Sequence, residues 1–87
     1  MKKRSIIEMV CSLRKSRDYW RKAERDGIHQ CSYMDSKAER CYEEKNYEGQ
    51  REWVNKRVGA YSVVRNYAGM ADAFHMSAHR CMELLGR

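Results

Sequence analysis

A metal centre or a nucleophile would have to be built from the histidines, cysteines and carboxylates, so these are weighed first. His75 and His79 stand four residues apart, which on a helix places both imidazoles on one face, and Asp72 and Glu83 extend the same stripe. His29 with Cys31, and His79 with Cys81, each space a histidine and a cysteine two apart. Zinc takes four nitrogen or sulfur ligands in a tetrahedron, and a helical histidine pair can supply two of them. Residues two apart on a helix point in different directions, however, so His79 and Cys81 do not converge, and no C-x-x-C pair is present. The stripe reads as a solvated edge, with no metal and no cofactor.

Nucleophilic chemistry finds as little support. Cys31, Cys41 and Cys81 lie on or beside apolar stripes and read as small core residues. Cys11 differs, facing basic residues near Arg14 and Lys15, but no motif places a histidine and an orienting carboxylate beside it. Walker, dinucleotide and H-E-x-x-H patterns are all missing from the sequence. The chain is therefore read as non-enzymatic.

Charge offers a second kind of chemistry. The net charge of +6 is uneven: residues 1–26 hold nine Lys/Arg against four Asp/Glu, residues 27–50 three against five, and residues 51–87 six against three. Lys3, Arg14, Lys15, Arg21, Lys22 and Arg25 form a basic arc that could track phosphates, diluted by Asp18, Glu24 and Asp26. Farther along, Asp35, Glu39 and Glu43, with Glu44 and Glu48, make an acidic patch beside Tyr33, Tyr42 and Tyr47. Six tyrosines, two tryptophans and six methionines exceed what one small core needs, and such residues are enriched at protein interfaces. Trp20 and Trp53 read as core anchors.

The elements that must carry these groups are helical. Proline is absent, glycines number five, and apolar residues recur at three- and four-residue steps. The longest such run is Val58 to Leu85, in which Val58, Tyr61, Val64, Ala68, Ala71, Ala78, Met82 and Leu85 make a stripe that Ala60, Val63, Tyr67, Met70, Phe74 and Cys81 widen to nearly half the circumference. A stripe that wide can meet two neighbours at once. Ser5 and Glu8 form a capping box that predicts a first helix from Ile6, and Gly27 is positioned to end it. Its apolar face is Ile6, Met9, Val10, Leu13, Trp20 and Ala23, with Arg17 and Glu24 on the same stripe. The Ser32 and Asp35 spacing predicts a second start, Asn46 to Gly49 a turn, and residues from about 50 onward one helix of roughly 55 Å, with a break near Asn66 as the alternative.

These signals predict one all-α domain over residues 1–87, a small bundle of three to four helices with a long C-terminal helix, for which dimerisation is a means of completion. No apolar run approaches the roughly 20 residues needed to span a bilayer, and Glu8, Arg14 and Lys15 interrupt any signal-peptide core. A soluble, cytoplasmic protein with reduced cysteines and no membrane partner is expected. The function expected is that of a protein-binding or regulatory module, likened by size and type to phage or mobile-element inhibitors of host complexes, and homodimeric. The alternative is a nucleic-acid-binding protein that uses the first helix.

Overall fold

A computed structural model describes residues 2–86. It contains two helices, α1 (Lys3–Glu43) and α2 (Tyr47–Leu85), folded back on one another as an extended antiparallel hairpin of 64 × 13 × 13 Å. This corrects the expected bundle of three to four helices. The reason lies in a heptad that runs the whole length of both helices.

Along α1 the residues Ile6, Val10, Leu13, Arg17, Trp20, Glu24, Gly27, Cys31, Met34, Ala38 and Cys41 alternate steps of four and three, and every one is buried or half-buried. Along α2 the same alternation links Gln50, Trp53, Arg57, Ala60, Val64, Tyr67, Ala71, Phe74, Ala78, Cys81 and Leu85, again all buried or half-buried. A repeat of 3.5 residues on two helices joined by a short turn closes as an antiparallel coiled-coil seam. Val64 closes on Gly27 so tightly that a Cβ there would collide with Val64 Cγ2. With Gly27 opposite Val64, stepping along the heptad sets Trp20 opposite Ala71, Leu13 opposite Ala78, and Ala38 opposite Trp53. Large meets small in each of these four layers, which lets two helices carrying tryptophans approach closely.

Four sequence signals acquire other roles in this seam. Gly27 does not stop α1; it is the small partner in a tight layer. Ser5 lies inside α1, the residue preceding the helix is Lys2 with no side-chain cap, and Glu8 pairs instead with Arg4 at 3.4 Å. Ser32 starts no second helix: its carbonyl accepts from Ser36 Oγ at 3.1 Å, and Asp35 reaches across to Arg57. The turn falls at residues 44–46, just before the predicted Asn46 to Gly49, while α2 runs unbroken through Asn66.

Local chemistry accounts for the turn. The Asn46 N–H donates to Cys41 O at 2.7 Å and the Lys45 N–H to Tyr42 O at 3.0 Å, a pair of bonds that satisfies the last carbonyls of α1 around a left-handed residue. That residue is Lys45, at φ 59°. Asn46 then caps α2, its Oδ1 accepting from Gly49 N at 3.0 Å.

The core this makes is thin. Its buried members are Ile6, Val10, Cys31, Ala38, Val64, Ala71 and Ala78, and among the described residues no large side chain is fully buried. Among the described residues, no helix is long and apolar enough to cross a membrane.

Candidate binding surfaces

Heptad geometry gives the hairpin two flanks beside the seam, and they differ in kind. On one flank α1 presents Ile7, Arg14, Arg21, Ile28, Asp35 and Tyr42 toward Val54, Tyr61, Ala68, His75 and Met82 of α2. Polar contacts knit this flank together: Arg21 Nη2 donates to Asp72 Oδ1 at 2.6 Å, Arg57 Nε lies 3.1 Å from Asp35 Oδ1, Arg17 Nη1 is 3.4 Å from His75 Nδ1, and Arg14 Nη2 is 2.9 Å from Met82 Sδ. The other flank brings Met9, Ser16, Ala23, Gln30 and Lys37 toward Lys56, Val63, Met70, Ser77 and Leu84, uncharged apart from Lys37 and Lys56 near the turn end. Among the described residues, all interhelical ion pairs lie on the first flank. Midway along this second flank is an open groove of about 340 Å³, lined by Ala23, Asp26, Gly27, Gln30, Ala60, Val63, Val64 and Tyr67.

The acidic, tyrosine-bearing residues assemble at the turn end. Tyr42 and Tyr47 are brought edge to face across the turn, with centroids 6.1 Å apart, and are 59% and 57% exposed. Glu39, Glu43, Glu44 and Glu48 are exposed around them. Asp35 is drawn aside by Arg57. Tyr33 packs edge-on against Trp53, centroids 6.1 Å apart, with Lys37 Nζ 5.4 Å from its ring centroid. Thus the sequence set divides, Tyr42, Tyr47, Glu39 and Glu43 forming the cap and Tyr33 and Asp35 joining interhelical contacts below it.

The basic arc also divides. Lys15, Lys22 and Arg25 are exposed on the outer side of α1, while Lys3 is exposed at the open end, in phase with the seam residue Val10. Arg21, placed on the arc by its sequence position, is turned to the seam edge, bonded to Asp72 and lying 3.5 Å from Glu24. Arg14 likewise leans onto Met82.

The histidine stripe does not assemble into a cluster. Asp72 is held by Arg21 and His75 lies against Arg17, leaving His79 Nε2 3.4 Å from Glu83 Oε1. Among the described residues no group of three or more His, Cys, Asp or Glu side chains could hold a metal ion. All four cysteines are free thiols; Cys31, Cys41 and Cys81 are seam residues, while Cys11 is exposed. The second flank was not seen in the sequence. Its signal was the run of uncharged residues at seven-residue steps from Met9 to Gln30 and from Val63 to Leu84, bounded by Lys37 and Lys56, which is legible only once the seam phase is known.

No family model, curated protein or solved structure matches this chain.

Proposed function

We propose that the chain is a non-enzymatic helical hairpin that binds and regulates a larger protein through its turn end, acting as a homodimer in the cytoplasm. The observation that carries this reading is the exposed Tyr42 and Tyr47 pair ringed by Glu39, Glu43, Glu44 and Glu48. Exposed tyrosines give large contact area at low entropic cost, and a surrounding acidic rim steers a basic partner surface and adds specificity. A rigid rod that offers such a cap suits an inhibitor or adaptor, which works by occupying a surface. Free thiols at all four cysteines are in keeping with a reducing compartment.

The test is capture from the native host with wild type and two variants, read by mass spectrometry after nuclease treatment. Tyr42→Ala with Tyr47→Ala should lose the captured protein while keeping helicity and melting temperature. Lys15→Glu with Lys22→Glu should retain it. Capture that survives loss of both tyrosines, or disappears on nuclease treatment, removes the reading.

Nucleic-acid binding through α1 is the second reading, favoured by the exposed Lys15, Lys22 and Arg25 along its outer side and Lys3 at its open end. Four phosphate contacts predict a slope of log affinity against log salt of about −3 to −4. A mobility-shift experiment at low salt that shows no shift of DNA or RNA removes it.

A further inference from the structure

We infer that a small pocket on the polar flank, between Arg14 and Arg17 of α1 and His75 and His79 of α2, binds a single phosphate group, as free phosphate or as the phosphomonoester of a small metabolite. The site lies toward the open end of the hairpin, away from the tyrosine cap, so it adds to the reading above and does not depend on it.

The pocket has a volume of about 140 Å³ and is lined by Arg14, Arg17, His75, Ala78, His79 and Met82. That is room for several water-sized groups, and so for the four oxygens of one phosphate. Two guanidiniums and two imidazoles meet there, all of them hydrogen-bond donors, and no carboxylate is among the lining side chains. Arg14 Nη2 points at Met82 Sδ, 2.9 Å away, a thioether that accepts only weakly. An oxyanion offers the same donor a far better acceptor. Arg17 is held from outside: Asp18 Oδ1 lies 3.1 Å from its Nε and 3.0 Å from its Nη2, which fixes the guanidinium and leaves Nη1 facing His75 Nδ1 at 3.4 Å. When Nδ1 accepts from Arg17, the ring proton of neutral His75 sits on Nε2 and is left to donate.

Charge decides between an anion and a metal. His75 and His79, four apart on one helix, are half of a familiar zinc arrangement, but two guanidiniums beside them oppose a cation and match the geometry of phosphate. Three carboxylates stand around the pocket without lining it. Each has a partner of its own: Asp18 has Arg17, Asp72 has Arg21, and Glu83 has His79. Among the described residues no carboxylate lies within ion-pair distance of Arg14, which makes its charge the one left over. The same carboxylates limit the occupant. Asp72 and Glu83 lie on either side of the lining residues along α2, so a chain of phosphates following the flank would meet a negative group in both directions, whereas one phosphate would not. This favours a lone phosphate over a nucleic-acid backbone, whose expected contacts Lys15, Lys22 and Arg25 are on the outer side of α1.

The test is an NMR titration of isotope-labelled protein with inorganic phosphate, the ionic strength held constant with chloride. The Arg14 Nε–H signal and the imidazole signals of His75 and His79 should shift and saturate, with a dissociation constant in the millimolar range or tighter, while the imidazole of His29 stays in place. Arg14→Gln should weaken binding at least about tenfold, because it removes a charge-assisted donor. Arg25→Gln removes the same charge from the outer side of α1 and should change binding by less than about twofold. Methyl phosphate, titrated in the same way, separates the sources: tighter binding than phosphate identifies a monoester, and equal or weaker binding identifies the free ion. Shifts that do not saturate, or that are as large at His29, overturn the inference. So does weakening by Arg14→Gln no greater than by Arg25→Gln, which would mean diffuse attraction to net charge. An oligothymidylate that moves the same signals and binds more tightly than either small probe overturns the single-phosphate assignment in favour of nucleic acid. Because the shifts are read on the wild-type chain, they decide the matter even if Arg14→Gln fails to fold.

Discussion

Gly27 faces Val64 across the seam at a separation that leaves no room for a Cβ on Gly27. That one contact identifies the register of the hairpin, because each heptad layer is counted from it. It also explains why a glycine sits in mid-helix, where it costs about 1 kcal/mol relative to alanine. The two helices approach closely there because one side chain is missing.

The three mid-helix glycines should therefore respond in opposite ways to the same change. Gly59→Ala and Gly69→Ala meet open space and should each stabilise the hairpin by about 0.5–1 kcal/mol through helix propensity. Gly27→Ala should destabilise it by about 1–3 kcal/mol, since overpacking against a half-rigid valine outweighs the propensity gain. Val64→Ala introduced with Gly27→Ala should recover part of the loss. Urea titrations of the four variants check the set, and a stabilising Gly27→Ala would contradict the register.

Ala71 is completely buried, and the heptad sets it opposite Trp20. Ala71→Arg puts a charge and a long stem where the seam has space for a methyl, and should cost several kcal/mol, enough to unfold a domain this small. Ala73→Arg, on the exposed side of the same turn of α2, should change the melting temperature little. Equal behaviour of the two in thermal circular dichroism would show that the seam runs along another face.

The turn offers a stabilising change of its own. Lys45 holds a left-handed conformation that a non-glycine residue adopts at a cost of about 1 kcal/mol, so Lys45→Gly should stabilise by about that amount. Asn46→Ala removes the acceptor for the Gly49 N–H and should destabilise by about 1 kcal/mol. Melting curves of both should shift in opposite directions with unchanged helicity.

Helix content and the α2 element were legible from periodicity and the lack of proline, and the length of α1 was not. Arg17, Glu24 and Gly27 occupy three of four consecutive seam positions, with Trp20 between the first two, so the strict alternation that links Ile6 to Cys41 looked interrupted where it in fact continues. Glycine at a helix end and glycine at a close approach are the same letter. Only the identity of the facing residue, Val64, separates the two. Likewise the Ser5 and Ser32 capping signals describe what those residues favour locally, but the seam supplies packing along all of α1 and overrides them. The candidate surfaces suffered less: Tyr42, Tyr47 and the glutamates are close in sequence to the turn and had to cluster, whereas Arg21 was reassigned by Asp72, a partner 51 residues away.

The polar seam residues make a last prediction whose sign runs against intuition about ion pairs. Arg17 and Glu24 stand in core positions with side chains only 27% and 20% exposed. Arg17 donates from Nε to Asp18 at 3.1 Å, and Glu24 lies 3.5 Å from Arg21. Partly buried ions lose hydration on folding, and replacing them with apolar side chains of similar size is often stabilising, provided no charge is left buried without a partner. None is left here: Asp18 is mostly exposed to water, and Arg21 keeps Asp72. A polar seam residue can specify register, but a three-residue turn already fixes it in a hairpin. Arg17→Leu with Glu24→Leu should therefore raise stability by about 1–2 kcal/mol, which in a chain of this length raises the melting temperature by roughly 4–16 °C. A lower melting temperature, with helicity retained, would mean that the two charges contribute net stability to the seam.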